Sequence, residues 1–236
     1  MTFLTKEERE RYQKLIGLEE MGVRGQLALK NASALVVGAG GLGSGVLPLL
    51  CAAGIGHVGL VEHDVVENSN LQRQTLYKPG DQNKHKSELA AGYLQSLNPH
   101  IKLSAFDQPM NQDNAGTLTG DFDVVVDCTD NFETRLLIND TCARLNKPLV
   151  YGSVSDYEGQ VMVLHHKRKA DLRKIYGEMP NDKYPADGII PTLPHIIGSI
   201  QANETIKLLT DSGKLLDGRM LLFNAYTNQC HVIELE

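Results

Sequence analysis

The chain has 236 residues, a net charge of −6 and a hydrophobic fraction of 42%. That length supplies one large core, and the acidic balance disfavours wrapping nucleic acid or an anionic membrane. No apolar run reaches the roughly 18 residues of a membrane-spanning helix, and the opening eleven residues are charged almost at once, so a cytoplasmic protein without a nucleic-acid or membrane partner is expected.

Thr5 and Glu8 have the spacing of a capping box, which predicts a charged helix from about residue 6. Residues 34–37 read as a buried parallel strand running into glycines. A helix rich in small and apolar residues follows over 43–53, and a second strand over 57–61 ends at Glu62. Residues 86–97 read as a helix closed by Asn98-Pro99. Strands are expected at 101–105, 124–126 and 148–151. Alternating strands and helices predict an α/β fold, a doubly wound, Rossmann-like, mostly parallel sheet.

The pattern changes after residue 155. Residues 160–165 alternate apolar and polar, as an antiparallel strand does. Residues 167–191 are polar, with Pro180, Pro185 and Gly188, and read as mostly a mobile loop. A helix is expected over 194–210, stopping near Ser212-Gly213. Residues 220–223 and 230–235 form a candidate hairpin, so the antiparallel strands gather toward the C-terminus. With no internal repeat, residues 1–236 are expected to form one domain.

Gly38-Ala-Gly40-Gly41-Leu-Gly43 follows a strand and opens a helix. In that context glycines let the backbone approach a pyrophosphate, and the helix N-terminus offers unpaired N–H groups. Glu62 ends the next strand, where the dinucleotide fingerprint places a ribose-binding acid. A ligand-free tight turn and a solvated strand-end acid are the plain alternatives. These features serve ATP and NAD equally.

The segment Asn68-Ser69-Asn70-Leu-Gln72-Arg73-Gln74 resembles the Ser-Asn-Leu-Gln-Arg-Gln signature of the ThiF/MoeB/HesA adenylyltransferases, bacterial relatives of ubiquitin-activating enzymes. The likeness continues, in family order, through Lys86, Asn98-Pro99, Asp127-Cys-Thr-Asp130-Asn131, Glu158-Gly-Gln160 and residues 198–207. It implies ATP-dependent adenylation of the C-terminal glycine carboxylate of a small ubiquitin-like sulfur carrier ending in Gly-Gly. By the same resemblance Gly38, Gly40, Gly41, Gly43 and Glu62 would seat the nucleotide. Asn70, Gln72, Arg73 and Lys86 would hold phosphates, with Ser69 also binding the nucleotide, and Asp130, with Asn131 beside it, would hold Mg²⁺. Arg suits phosphate as a planar fork, Lys as a point charge, and a carboxylate is a hard oxygen ligand for Mg²⁺. Asp130 could instead cap the next helix, and Arg135 could serve an ion pair within that helix. The resemblance also implies a homodimer in which an N-terminal cation reaches the partner's site; Lys14 stands where the family has arginine.

Two features depart from the family. The Cys-x-x-Cys pairs that hold a structural zinc in most relatives are missing, so no structural zinc is expected. The position of a family cysteine used in sulfur transfer or thioester formation is taken by Tyr184. The four cysteines, Cys51, Cys128, Cys142 and Cys230, are far apart, so no disulfide framework is expected. Cys51, Cys128 and Cys142 fall in predicted core elements, where a free cysteine acts as a small hydrophobe. His165-His166 reads as a polar strand end. A catalytically silent nucleotide-binding partner and an NAD-dependent oxidoreductase are the competing functions. Arg73, Lys86 and Asp130 together argue against the first, and the later motifs against the second.

Overall fold

The computed structural model describes residues 3–168, 170–177 and 188–235. The four apolar or mixed runs at Ser33–Val37 (β1), His57–Val61 (β2), Lys102–Phe106 (β3) and Val124–Asp127 (β4) pair in parallel, and Leu149–Ser155 (β5) joins β4 in the same sense. Glu158–Leu164 (β6), Arg219–Asn224 (β7) and Gln229–Glu234 (β8) then continue the same sheet antiparallel. The order is β3-β2-β1-β4-β5-β6-β7-β8. Strands β1 and β4 are buried over most or all of their length, as parallel strands covered on both faces must be.

Helices Lys6–Arg11 (α1), Gln13–Ile16 (α2) and Gly22–Asn31 (α3) precede the sheet. Thr5 and Glu8 make the capping box that starts α1. Gly41–Ala53 (α4), Lys86–Leu97 (α5), Ala115–Gly120 (α6) and Phe132–Leu145 (α7) are the crossovers, and Leu172–Tyr176 (α8) and Thr192–Thr210 (α9) follow β6. Two apolar cores result. One is built from α4, α5, α9 and one set of strand side chains, including Leu47, Leu50, Val126 and Ile197. The other lies on the opposite face, with Leu35, Phe122, Ile138, Tyr151 and Met162.

Helices α4 and α9 cross closely because Gly45 faces Gly198. A Cβ at Gly198 would stand 2.7 Å from the Leu42 carbonyl oxygen. That crossing brings Pro194, near the start of α9, against Gly41 at the start of α4. Helix α9 thereby closes one side of the crevice above the sheet.

The segment expected as a loop over 167–191 contains the short helix α8. Asp171 starts it by accepting the Arg173 N–H, and Asn139 on α7 receives the Leu172 N–H. The expected breakers Pro180 and Pro185, and Tyr184, lie outside the described residues. Helix α3 was also not anticipated. Its two glycines weaken the helical pattern, and it forms because Leu29 and Gln26 bury against the body.

Candidate active site

The chain order reverses between β1 and β4, and open α/β sheets bind ligands in the crevice at such a switch point. A cavity of about 500 Å³ lies there, within the range for small-molecule sites. Gly38 follows β1 with φ +98°, and a Cβ there would lie 2.7 Å from the Cys128 carbonyl oxygen just after β4. Only glycine brings the two strand ends this close without strain. Gly43 turns back on the Gly38 carbonyl, with no room for a side chain. Helix α4 begins at Gly41 with no side-chain cap, so its first N–H groups are left for a ligand. Gly38, Gly40 and Gly41 line the cavity; Gly43 shapes the loop from behind.

Glu62 is 7% exposed and reaches back to this loop. Its Oε2 accepts the Ala39 N–H at 2.8 Å, and Oε1 accepts those of His63 (2.7 Å) and Asp64 (2.9 Å). Tyr77 donates its hydroxyl to the Ala39 carbonyl from the other side, at 2.9 Å. The glycine loop is thus pinned by one carboxylate and one phenol, both of which are distant in sequence.

Arg73 and Lys86 both line the cavity. Lys86 is 4% exposed, and its Nζ donates to Asp64 Oδ2 at 3.2 Å. Arg73 donates to the Ser69 carbonyl at 3.1 Å, and among the described residues no carboxylate lies within ion-pair distance of it. His195 on α9 holds the Arg73 carbonyl at 3.0 Å, which fixes the turn that aims the side chain. Ser69, Asn70 and Gln72 do not line the cavity. Asn70 accepts the Glu67 N–H, Ser69 donates to Glu67, and Gln72 is exposed. The glutamine at the site is Gln74, whose buried Oε1 has no partner among the described residues. It sits in the signature segment, but the sequence does not reveal which of the two glutamines turns inward.

Asp130 and Asn131 line the opposite wall. The residue that caps α7 is Asn131, which accepts the Thr134 N–H at 2.9 Å. That leaves the exposed Asp130 carboxylate with no hydrogen bond among the described residues, an oxygen donor suited to a hard cation such as Mg²⁺. Arg135 makes no ion pair within α7, contrary to expectation. It folds inward, 6% exposed, donating to the Thr129 carbonyl (2.8 Å) and Ser153 Oγ (2.9 Å). Lys14 is exposed on α2 and does not line the cavity of its own chain. Val61, His63, Asp64, Pro109 and Met110 also line the cavity; of these only Val61, His63 and Asp64, next to Glu62, carry a sequence signal.

Cys128 also lines the cavity, but burial pushes its thiol well up, so it stays protonated. Burial raises Cys51 to about 12 and Cys142 further. All four cysteines are free, and only Cys230 is exposed. His165 is buried and bonded to Asn139 Oδ1 at 2.8 Å, tying the end of β6 to α7. Near the position of the missing Cys-x-x-Cys, Asp217 accepts the N–H groups of Lys167 and Arg168. Among the described residues no helix is long and apolar enough to cross a membrane.

Residues 12–236 match the ThiF family model. The chain is 42% identical over 236 residues to the sulfur carrier protein adenylyltransferase of Thermus thermophilus, covering 94% of this chain and 85% of that protein. It is 41% identical to the adenylyltransferase and sulfurtransferase MOCS3 of Culex quinquefasciatus, covering 100% of this chain but 55% of that protein. The chain therefore spans about half the length of several curated relatives it matches. Among solved structures, PaaA superposes with a TM-score of 0.82 at 20% identity, over 100% of this chain and 76% of that one. E. coli MccB gives 0.82 at 21%, over 96% and 70%. Both are likenesses of fold.

Proposed function

The chain belongs to the ThiF family, and from that premise we propose that it uses ATP to adenylate the C-terminal glycine carboxylate of a small ubiquitin-like sulfur carrier. The observation that carries this reading is the convergence, at one switch point, of the glycine loop, the cations Arg73 and Lys86, and the Asp130 carboxylate, which has no hydrogen bond among the described residues. An uncapped helix start and the Gly38–Gly43 turn suit a polyphosphate, and Arg73 and Lys86 offset its charge. Glu62 stands where a ribose hydroxyl would find an acceptor, and Val61, Pro109 and Met110 offer an apolar wall for a base. Asp130, with Asn131 beside it, would hold Mg²⁺, which neutralises phosphate charge.

A carboxylate of ordinary pKa is ionised at pH 7, so the nucleophile needs no general base. Its oxygen bonds to the α-phosphorus while the bond to the bridging oxygen breaks, and pyrophosphate leaves with that electron pair. The chain's contribution is positioning and charge neutralisation. We place this activity in one domain of a cytoplasmic homodimer, in which the exposed Lys14 serves the partner's site. The free, unbridged cysteines suit a reducing compartment.

The test is ATP–pyrophosphate exchange with a panel of carriers ending in Gly-Gly. Exchange should depend on the carrier and vanish when the last glycine is removed. No exchange with any carrier would favour a silent nucleotide-binding partner. Thermal stabilisation by NAD in preference to MgATP would favour an oxidoreductase.

A further inference from the structure

Arg135 is a buried cation held by neutral groups. Its guanidinium lies 5.5 Å from the Phe132 ring centroid and 5.7 Å from that of Tyr151. Two of its five N–H donors go to Thr129 and Ser153, and Nε is buried without a partner. Among the described residues no carboxylate lies within ion-pair distance of it. The buried Asp127 feels its charge, but Asp127 Oδ1 is taken by Thr129 and burial drives that carboxyl toward its neutral form. A cation this deep, in a cavity wall and without a paired anion, is costly unless a ligand supplies the anion.

The surroundings say which anion. Arg73 lies against Gly41 of the glycine loop and Lys86 against Asp64, whereas Arg135 lies against Phe132, Tyr151, Thr129 and Ser153, none of them charged; Val154 and Ile189 line the same cavity. Along β5 the backbone passes from buried at Gly152, through half-buried Ser153 and Val154, to exposed Ser155. Among the described residues, the neutral side chains around Arg135 and the outward run of β5 fit a peptide tail with a terminal carboxylate better than they fit a triphosphate. We propose that Arg135 anchors the C-terminal carboxylate of the acceptor polypeptide, in a subsite separate from the nucleotide cations. The proposal rests on the adenylation reading above. The carboxylate carries its full charge before attack and loses it as the new O–P bond forms. The contact is therefore strongest in the ground state and governs carrier binding more than turnover.

The experiment compares a synthetic peptide ending in Gly-Gly carboxylate with the same peptide amidated, titrated onto protein holding Mg²⁺ and a non-hydrolysable ATP analogue. The wild type should prefer the acid by about 10- to 150-fold, the worth of one charge-assisted contact. Arg135→Gln should bring the ratio near one without weakening the analogue, and Arg135→Lys should restore part of the preference. In exchange assays Arg135→Gln should raise the KM for carrier and spare the KM for ATP. Equal affinity of the wild type for both peptides, or no binding of either, overturns the proposal; so does loss of nucleotide binding in a folded Arg135→Gln protein. The acid-to-amide comparison on the wild type needs no variant, so misfolding cannot shelter the idea. Exchange without Arg135-dependent acid preference leaves the adenylation reading standing and removes this one. Acid preference without exchange does the reverse.

Discussion

At the scale of single residues, the site divides into groups that follow the reaction and groups that do not. Among the described residues Arg73 has no carboxylate partner, and its guanidinium fork is able to follow charge developing on the phosphates. Arg73→Ala should lower kcat more than it raises the KM for ATP, by about 10- to 150-fold, in steady-state kinetics with saturating carrier. Asp130→Ala should also suppress kcat, with partial rescue by added Mg²⁺. Glu62 should behave differently, because the ribose does not change in the reaction. On the proposed reading its contact is uniform binding, and its loss should raise the KM for ATP. Glu62 also accepts three backbone N–H groups, so Glu62→Ala strands buried donors and should lose about 1–3 kcal/mol in denaturant unfolding. A pattern in which Arg73→Ala altered only KM while a folded Glu62→Ala abolished kcat would reverse these roles. Gln74, whose buried Oε1 has no partner among the described residues, was not separable from Gln72 in the sequence, since both are polar and two positions apart on an irregular turn.

At the scale of elements, the site is held by contacts between helices that start and end far apart in the chain. The α4–α9 crossing depends on the absence of side chains at Gly45 and Gly198. Gly198→Ala sets a methyl against the Leu42 carbonyl, a backbone atom that cannot rotate away. Overpacking of this kind costs about 1–3 kcal/mol, read as a lower urea midpoint with an unchanged slope. Pro194 would shift with α9, so nucleotide affinity should fall as well. Between α7 and α8, Arg173 bonds both oxygens of Asp140, at 2.8 and 2.7 Å, and holds its carboxyl below the ordinary value against the opposing effect of burial. The unfolded chain then binds more protons than the native one between those two pKa values. The pair's contribution is present above the ordinary carboxylate value and is lost as pH falls through the folded one. Both groups are about half exposed, so the effect is less than about 1 kcal/mol. Asp140→Asn should flatten the acid limb of the stability profile by that amount, and an unchanged limb would show that the pair contributes nothing.

At the scale of the whole molecule, the proposed function has consequences for assembly and metal. Lys14 is exposed and does not line its own chain's cavity, and in the proposed function it plays its catalytic part across a dimer. Lys14→Ala and Asp130→Ala homodimers should each be inactive. Equal mixing with subunit exchange should restore roughly one quarter of wild-type activity, since half the dimers carry one intact site in a two-fold assembly. No recovery on verified exchange would place Lys14 outside the chemistry or in its own subunit's site. The missing Cys-x-x-Cys pairs predict no stoichiometric zinc by elemental analysis and a melting temperature unmoved by a zinc chelator. About one equivalent of zinc would show that other ligands are used.

The sequence by itself determined the parallel strands, the helices at 43–53, 86–97 and 194–210, and the glycine loop. Continuous apolar runs, capping residues and glycine punctuation are local signals that need no partner to be read. It also set Arg73, Lys86 and Asp130 apart through the motifs that contain them. Tertiary structure alone decided which of these residues meet. Gly38 and Cys128 are ninety positions apart and touch only because β1 and β4 are neighbours at the point where strand order reverses. The inward turn of Arg135 likewise depends on Thr129, just past β4, and on Ser153, which the neighbouring β5 carries to it. Helix α8 forms where composition suggests a loop, because Asn139 on a distant helix satisfies its first backbone donor. In each case the deciding bond joins residues that pattern and propensity treat separately, and the free energy that selects it exists only once the sheet has brought them together.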